Sequence, residues 1–154
     1  MKTIKLAIIA FALALAGCGT GTPDQTVHLS ETTPDATSTA DSIAEYKLAL
    51  ANRIAQVSSI KVFIGRPQPL LRSVVVVRYE VDGQGKLLRS EIMRSNHDRV
   101  TENTALSTLR AAAPFPKPAA KLLRNGRVDL VETWLFNNDG RFQLRTIAEP
   151  QMNE

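Results

Sequence analysis

The stretch Ser73–Asp98 decides the fold, and it reads SVVVVRYEVDGQGKLLRSEIMRSNHD. Its first ten residues, Ser73–Asp82, are dense in β-branched side chains, which suit a pleated and half-buried surface, so they predict a strand. The Gly-Gln-Gly segment at 83–85 then breaks the pattern, because glycine supplies the positive φ of a tight reversal. Lys86–Ser95 resumes the alternation as a second strand. The stretch therefore predicts an antiparallel hairpin.

A helix is predicted directly after this hairpin. From Asp98 onward the apolar period changes from two residues to the helical 3.6. Pro114 and Pro116 end the helix, because proline has no N–H to donate and disfavours helix at the residue before it. The residues predicted to face the sheet are Val100, Leu106, Leu109 and Ala113.

Further elements flank this unit on both sides. Ser42 and Glu45 form a capping-box pattern, which predicts a helix that runs to about Gln56. Its apolar stripe comprises Ile43, Tyr46, Leu50, Ile54 and Val57. After the second helix, Ala119–Leu123 predicts a short helical turn. The last two predicted strands, Arg127–Phe136 and Arg141–Ile147, are separated by an Asn-Asn-Asp-Gly turn at 137–140.

The predicted order is α, β, β, α, β, β. A right-handed helical crossover from the second strand would place the third strand beside the first. The prediction is therefore an α+β domain of two layers, in which an antiparallel sheet of order 2-1-3-4 carries both helices on one face. The opposite face would expose Val74, Val76, Val131 and Leu135. These side chains form either a contact surface or a patch partly shielded by the connector at 58–72 or by the tail.

Charge divides the chain into an acidic and a basic part. Residues 19–45 carry five Asp or Glu and no Lys or Arg, whereas residues 58–147 carry fifteen Lys or Arg against eight Asp or Glu. A basic domain can bind nucleic acid, acidic lipid or an acidic protein segment. The cellular compartment has to decide between these classes of partner.

The N-terminus indicates that compartment. Lys2 and Lys5 precede an apolar run of about ten residues, too short for a transmembrane helix but typical of a signal peptide at 1–17. The run ends in Leu-Ala-Gly-Cys, which resembles the bacterial lipobox and implies that Cys18 is lipidated and becomes the mature N-terminus. The alternative is an ordinary secretory signal with an incidental cysteine. Gly19 follows the cysteine and favours the outer over the inner membrane.

Two flexible segments are predicted around the domain at 42–147. Residues 18–41 are rich in Thr, Ser, Pro, Asp and Gly, and only Val27 and Leu29 offer apolar bulk. Such a segment cannot bury enough surface to offset the entropy of ordering, so we expect a disordered acidic tether. The polar residues 148–154 are expected to form a flexible tail.

Several weak motifs, taken in order, resemble the C-terminal domain of the TolA and TonB family. They are the strand Val75–Val81, the glycine turn at 83–85, the Arg-Ser-Asn segment at 94–96, and the run Ala-Ala-Ala-Pro-Phe-Pro-Lys-Pro at 111–118. The resemblance covers about residues 41–146 and implies the α+β fold and a protein-binding role. Asn96 stands where the family often has glycine. Family members carry a transmembrane helix that contacts a proton-driven motor, and here a lipid and a short tether take its place.

The sequence contains no recognisable motif of metal-ligating or catalytic residues. One cysteine and two distant histidines provide no metal-ligand spacing. Ser95 and His97 are near each other, but a Ser-Asn-His segment before a helix is typical of capping rather than catalysis. The first two strands also lack the aromatic pair with which RNA-binding sheets stack bases. We therefore expect no enzyme activity, no cofactor, no metal and no nucleic-acid partner.

The sequence thus predicts a non-catalytic envelope lipoprotein that binds another envelope protein. An extended partner segment would pair with one of two sheet edges, Lys86–Ser95 or Arg141–Ile147. The proposed contact residues on the second edge are Arg141, Phe142, Leu144 and Arg145. Edge arginines can instead serve only to discourage aggregation. Two other hypotheses remain: a component of a TonB- or TolA-type energised transport system, and a small envelope enzyme that uses Ser95 and His97.

Overall fold

The computed structural model describes residues 36–151. The predicted signal peptide, Cys18 and the tether up to residue 35 lie outside these residues, as do the last three residues. The elements in chain order are α1 (Ile43–Val57), β1 (Ser73–Asp82), β2 (Leu87–Arg94), α2 (Arg99–Ala112), β3 (Arg127–Phe136) and β4 (Phe142–Leu144). Single 3-10 turns lie at Ser59–Lys61 and Ala120–Leu122.

The four strands form one antiparallel sheet in the order β2-β1-β3-β4, which confirms the predicted α+β class and topology. β1 and β3 are paired without interruption from Ser73–Phe136 to Asp82–Arg127. The β1–β2 pairing is less regular, because the register shifts twice and leaves Leu88 and Met93 without opposite residues. The long central strands therefore carry a bulged edge strand.

Both helices cover the sheet face formed by alternate residues of β1 and β3. Ser42 caps α1 in a full capping box, since its hydroxyl accepts from the Glu45 backbone while the Glu45 carboxylate accepts from the backbone of Ser42. The core beneath the helices contains the largest fully buried side chains: Trp134, Tyr46, Tyr79, Phe115, Phe136 and Phe142. The indole of Trp134 donates a hydrogen bond of 3.1 Å to the hydroxyl of Thr108, which fixes α2 on the sheet.

The buried face of α2 agrees with the predicted stripe at Leu109, which is buried, and at Leu106 and Ala113, which pack against the core, but it differs at Val100. Val100 is 62% exposed, and the buried residues are Thr101, Ala105, Thr108, Leu109 and Ala112. Small side chains line this face, so the helix lies close to the sheet, and the hydroxyls of Thr101 and Thr108 are satisfied by hydrogen bonds. In the first turn of α2, the large apolar Val100 therefore lies on the exposed side and the smaller Thr101 takes the buried position. In α1, by contrast, the middle of the predicted stripe is buried and its ends, Ile43 and Val57, are exposed.

The hairpin turn is joined to the proline segment that ends α2. The backbone N–H of Phe115 donates to the carbonyl oxygen of Gly85 at 2.8 Å. Gly85 has a φ of +81°, and a Cβ added there would lie only 2.0 Å from the carbonyl oxygen of Phe115. Only glycine fits at this position, so the turn between β1 and β2 is held against the end of α2.

Both chain ends contribute to the domain more than predicted. The last residues of the predicted tether, 36–40, are not free, because Thr37 forms a parallel bridge with Lys117. Asp41 pairs with Lys121, and this ion pair lowers the pKa of Asp41. At the other end, the guanidinium of Arg66 donates to the carbonyl oxygens of Pro150 and Gln151 at 3.0 Å. The predicted tail is therefore hydrogen-bonded up to Gln151.

Candidate functional site

The two predicted sheet edges differ in how open they are. The β4 edge is short, because the backbone N–H groups of Ile147 and Ala148 both turn back to the carbonyl oxygen of Leu144. Its outer side is occupied by the connector, since the N–H of Phe63 donates to the carbonyl oxygen of Phe142 at 2.8 Å. The side-chain amide of Gln143 in turn donates to the carbonyl oxygen of Phe63 at 3.0 Å. The predicted edge Arg141–Ile147 is therefore only three residues long and largely covered.

The four residues proposed as partner contacts on this edge have different positions. Phe142 and Leu144 are 0% and 1% exposed, because they share the face of Phe136 and Trp134 beneath the helices. Their side chains are core residues and do not reach the surface, which corrects the expectation that they contact a partner. The alternation of side chains along a strand could have predicted this burial, since Phe142 and Leu144 share one face and pair with two large aromatic residues.

The two arginines of that set lie at the surface. The guanidinium of Arg141 pairs with the carboxylate of Asp139 at 2.7 Å, and it lies 5.0 Å from the centre of the Phe63 ring. Hydrogen bonds from the backbone and side chain of Arg141 hold the pKa of Asp139 below its usual value. Arg145 is exposed, and its backbone N–H donates to Thr133. Whether either arginine binds a partner stays a prediction.

The β2 edge is open along its eight residues, since β2 pairs with β1 alone in the described sheet. The two bulge residues, Leu88 and Met93, are 49% and 57% exposed. Bulges and charged side chains are typical of an edge that resists uncontrolled strand pairing. A partner segment that pairs here therefore has to match a specific surface rather than a flat strand.

A groove lies beside the first half of β2. It has a volume of about 500 Å³ and runs between this strand and the end of α2. Its lining includes the cations of Lys86, Arg89 and Arg110 and the apolar side chains of Leu87, Leu88, Ala113 and Pro114. Arg89 pairs with Glu91 at 2.6 Å, whereas Lys86 and Arg110 have no ion-pair partner among residues 36–151. The groove can therefore hold an extended segment that carries both apolar and acidic side chains.

Sequence reasoning predicted the edge but missed the groove. The groove requires the hairpin turn and the end of α2 to meet, and this contact is made by Gly85 and Phe115. The two residues are thirty positions apart. The sequence feature that could have indicated the groove is a cation on each side of that contact. Lys86 follows the glycine turn, and Arg110 precedes the proline run.

The open face of the sheet contains the apolar patch predicted from strand parity. Val74 and Val131 are 36% and 41% exposed, and Val76 and Leu135 are half-buried. The connector shields the β4 end of this face, where Gln143 is buried beneath Phe63 and Gly65. The expected shielding therefore occurs at one end of the patch, and the exposed middle as a contact surface stays a prediction.

Next to the apolar patch, the open face is charged. The guanidinium of Arg78 donates to the carboxylate of Asp129 at 2.9 Å, and this hydrogen bond and charge hold the pKa of Asp129 below its usual value. Cross-strand ion pairs of this kind are exposed and contribute at most about 1 kcal/mol of stability.

A second cavity, of about 280 Å³, lies between the end of α1, the connector and β4. Its apolar lining includes Val62, Phe63, Ile64 and Ile147. Ser59 and Gln143 are the polar residues of this lining.

The pair considered for catalysis is engaged in loop structure. The hydroxyl of Ser95 donates to the carboxylate of Glu102, and the backbone N–H of His97 donates to the oxygen of Ser95 at 3.0 Å. His97 is exposed and has a φ of 63°, as expected for a turn residue before a helix. Asp98 then caps α2 by accepting from the N–H groups of Val100 and Thr101. The absence of enzyme activity nevertheless stays a prediction.

Within 36–151 no cluster of three or more His, Cys, Asp or Glu side chains could hold a metal ion. None of the helices in this part of the chain is long and apolar enough to span a membrane.

Comparison with known proteins gives one informative result. The chain is similar to the protein TonB of Pseudomonas putida. The two are 27% identical over 71 residues, which is 46% of this chain and 29% of that protein, so the chain spans less than a third of its relative's length. No protein-family model and no solved structure matches the chain. The similarity supports a TonB-like domain, in agreement with the motif order and the sheet topology.

Proposed function

We propose that this chain is a non-catalytic, lipid-anchored protein of the bacterial cell envelope whose TonB-like domain binds a periplasmic or outer-membrane protein. The partner contributes an extended segment that pairs with β2. The observation that carries this proposal is the contrast between the two sheet edges, since β2 is open beside a cationic groove whereas the connector covers β4. The similarity to TonB supports the envelope and the protein-binding role.

The chemistry of the edge defines the partner segment. Main-chain hydrogen bonds to β2 supply affinity that does not depend on sequence, and the bulged apolar residues and the cations of the groove supply selectivity. Each such hydrogen bond contributes about 1 kcal/mol net. An eight-residue edge therefore supports modest and reversible binding rather than a permanent complex. The segment that fits best is extended, partly apolar and acidic.

The anchor keeps this surface close to a membrane. Acyl chains on Cys18 would stabilise membrane association by about 0.8 kcal/mol for each buried methylene. The lipid then confines the domain to partners in or near the same bilayer, which raises their effective concentration.

Site-specific photo-cross-linking in living cells tests the proposal. A photoreactive amino acid replaces Leu88 on the β2 edge, and the control replaces Ile60, which is 88% exposed but lies in the connector. We expect a discrete protein adduct from the Leu88 position and none from Ile60. Equal adducts from both positions, or none from Leu88, would contradict binding at β2.

The similarity to TonB also favours a second function, that of a component of an energised transport system. In this case the interaction would depend on the proton-motive force. The same Leu88 adduct distinguishes the two functions, because an uncoupler should abolish it in an energised system and leave it unchanged in a passive binding domain.

A further inference from the structure

The groove beside β2 has the chemistry of a docking site for an acidic strand. Its lining includes the cations of Lys86 and Arg110 together with Leu87, Ala113 and Pro114, whereas Arg89, which also lines it, pairs with Glu91. Lys86 and Arg110 form no ion pair within the described residues, although both are exposed. Two cations without an ion-pair partner, beside apolar lining residues, attract carboxylates at spaced positions along an extended chain.

The direction of the chain at Ala36 leads towards this groove. The N–H of Lys117 donates to the carbonyl oxygen of Ala36 at 3.1 Å, and the N–H of Ser38 donates to that of Lys117 at 2.8 Å. This bridge is parallel, so a chain that keeps the direction of residues 36–38 would run alongside the residues before Lys117. Three positions before Lys117 is Pro114, which lines the groove. The hydrogen bond from Phe115 to Gly85 places the same segment against the start of β2.

The acidic residues that precede the domain are spaced so that some of them could reach the cations of the groove. Of the five in residues 19–45, Asp41 pairs with Lys121 and Glu45 completes the capping box of α1. The other three, Asp24, Glu31 and Asp35, precede the described residues. Asp35 is adjacent to Ala36, and Glu31 lies four residues further back, about 13 Å in an extended chain. Leu29 and Val27 precede Glu31 and are the large apolar residues of this segment.

We propose that residues 26–35 of this chain dock in the groove beside β2, with the carboxylates of Glu31 and Asp35 against the cations of Lys86 and Arg110. The docked segment covers the β2 edge as an internal ligand. A flexible linkage of this length presents its ligand at about millimolar effective concentration, so a weakly binding outside segment must compete with it. This last consequence rests on the proposed function, whereas the docking itself does not.

Paramagnetic relaxation measures the docking directly. The full-length chain carries Cys18→Ser and a nitroxide on Thr32→Cys, in detergent micelles that hold the N-terminal apolar run. The amide signals of Leu87–Ser90 and of Arg110–Ala113 should broaden selectively, compared with those of Phe142–Leu144 at the opposite edge. The broadening should decrease at about 0.5 M salt, where the Debye length is only a few ångström. Uniform broadening, or none, would overturn the proposal.

A matched pair of charge variants tests the role of the carboxylates. Glu31→Gln with Asp35→Asn should remove most of the selective broadening. The control, Asp24→Asn with Glu149→Gln, removes the same number of charges and should retain it. Retention in both variants would show that the carboxylates do not direct the docking.

A competition experiment separates this inference from the proposed function. The probe is a synthetic peptide of residues 26–36. It should bind the Glu31→Gln/Asp35→Asn chain about fivefold or more tightly than the native chain, because the internal competitor is weakened. Equal binding to both chains would contradict internal docking. Selective broadening without any cross-link at Leu88 in cells would support the docking and contradict the proposed partner. A cross-link at Leu88 without selective broadening would contradict the docking and support the proposed partner.

Discussion

Replacing Gly85 with alanine tests how the hairpin is locked to the end of α2. The added Cβ would lie 2.0 Å from the carbonyl oxygen of Phe115, whereas Cβ atoms essentially never come closer than 3.0 Å to another heavy atom. Relief requires the turn and the proline segment to separate by more than 1 Å, roughly, because packed backbones cannot interpenetrate. That shift breaks the 2.8 Å hydrogen bond from Phe115 to Gly85 and disturbs a fully buried phenyl ring.

The magnitude follows from separate contributions. The left-handed backbone costs an alanine about 1–2 kcal/mol. A more restricted unfolded chain offsets about 0.4–1 kcal/mol of this cost. Loss of the hydrogen bond, with a buried group left unsatisfied, adds about 1–3 kcal/mol. We therefore expect Gly85→Ala to lower the free energy of unfolding by about 3 kcal/mol, a large part of a typical stability of about 5–15 kcal/mol.

Gly126 provides the matched control. Its φ is +76°, close to that of Gly85, but a Cβ there meets nothing within 4 Å. Gly126→Ala should therefore cost only the backbone term, about 1 kcal/mol or less. Urea unfolding of both variants measures the difference, which is the cost of the contact with Phe115. If the two variants lose equal stability, within about 0.5 kcal/mol, the reasoning about the lock is refuted.

Three further predictions concern other residues. Tyr46→Phe should lower the free energy of unfolding by about 1–2 kcal/mol, because the buried carbonyl oxygen of Pro116 loses the hydroxyl that donates to it at 2.8 Å; unchanged stability in urea would contradict this. The hydrogen bond from Arg72 holds the pKa of Asp98 below 3.8, so its stabilisation is present above that pH and is lost as the pH falls through the folded-state pKa. The stability difference between the native chain and Asp98→Asn should accordingly shrink below about pH 4 in pH-dependent unfolding; a constant difference would oppose the assignment. Cys18→Ser should move the protein from the membrane to the soluble envelope fraction, and membrane retention of this variant would argue against lipidation.

The regular part of the fold was predictable from local patterns. The β-branched run gave β1 its observed bounds, and the alternation in Arg127–Phe136 did the same for β3. The crossover rule then placed β3 beside β1 and fixed the sheet order. These features depend on periodicity and chirality, both of which a single sequence contains.

The edges of the domain were not predictable in the same way. β4 is shorter than its pattern because the backbone turns back to Leu144, and its outer side is covered because the connector, some eighty residues earlier in the chain, bonds to Phe142. The end of the tether is ordered by Lys117, which is equally distant in sequence. Such contacts depend on how separate elements meet in space, and residue type at either position does not encode them. The prediction of the candidate site was the least accurate, because these long-range contacts occur at the sheet edges.

A scan of photoreactive side chains along both sheet edges tests the central claim most directly. The probe replaces each surface residue of β2 in turn, and Arg141 and Arg145 beside β4, in living cells. The account predicts adducts with one envelope protein from β2 positions, strongest near Leu88, and none from the two arginines. Adducts from Arg141 or Arg145, together with none from the β2 positions, would contradict the account.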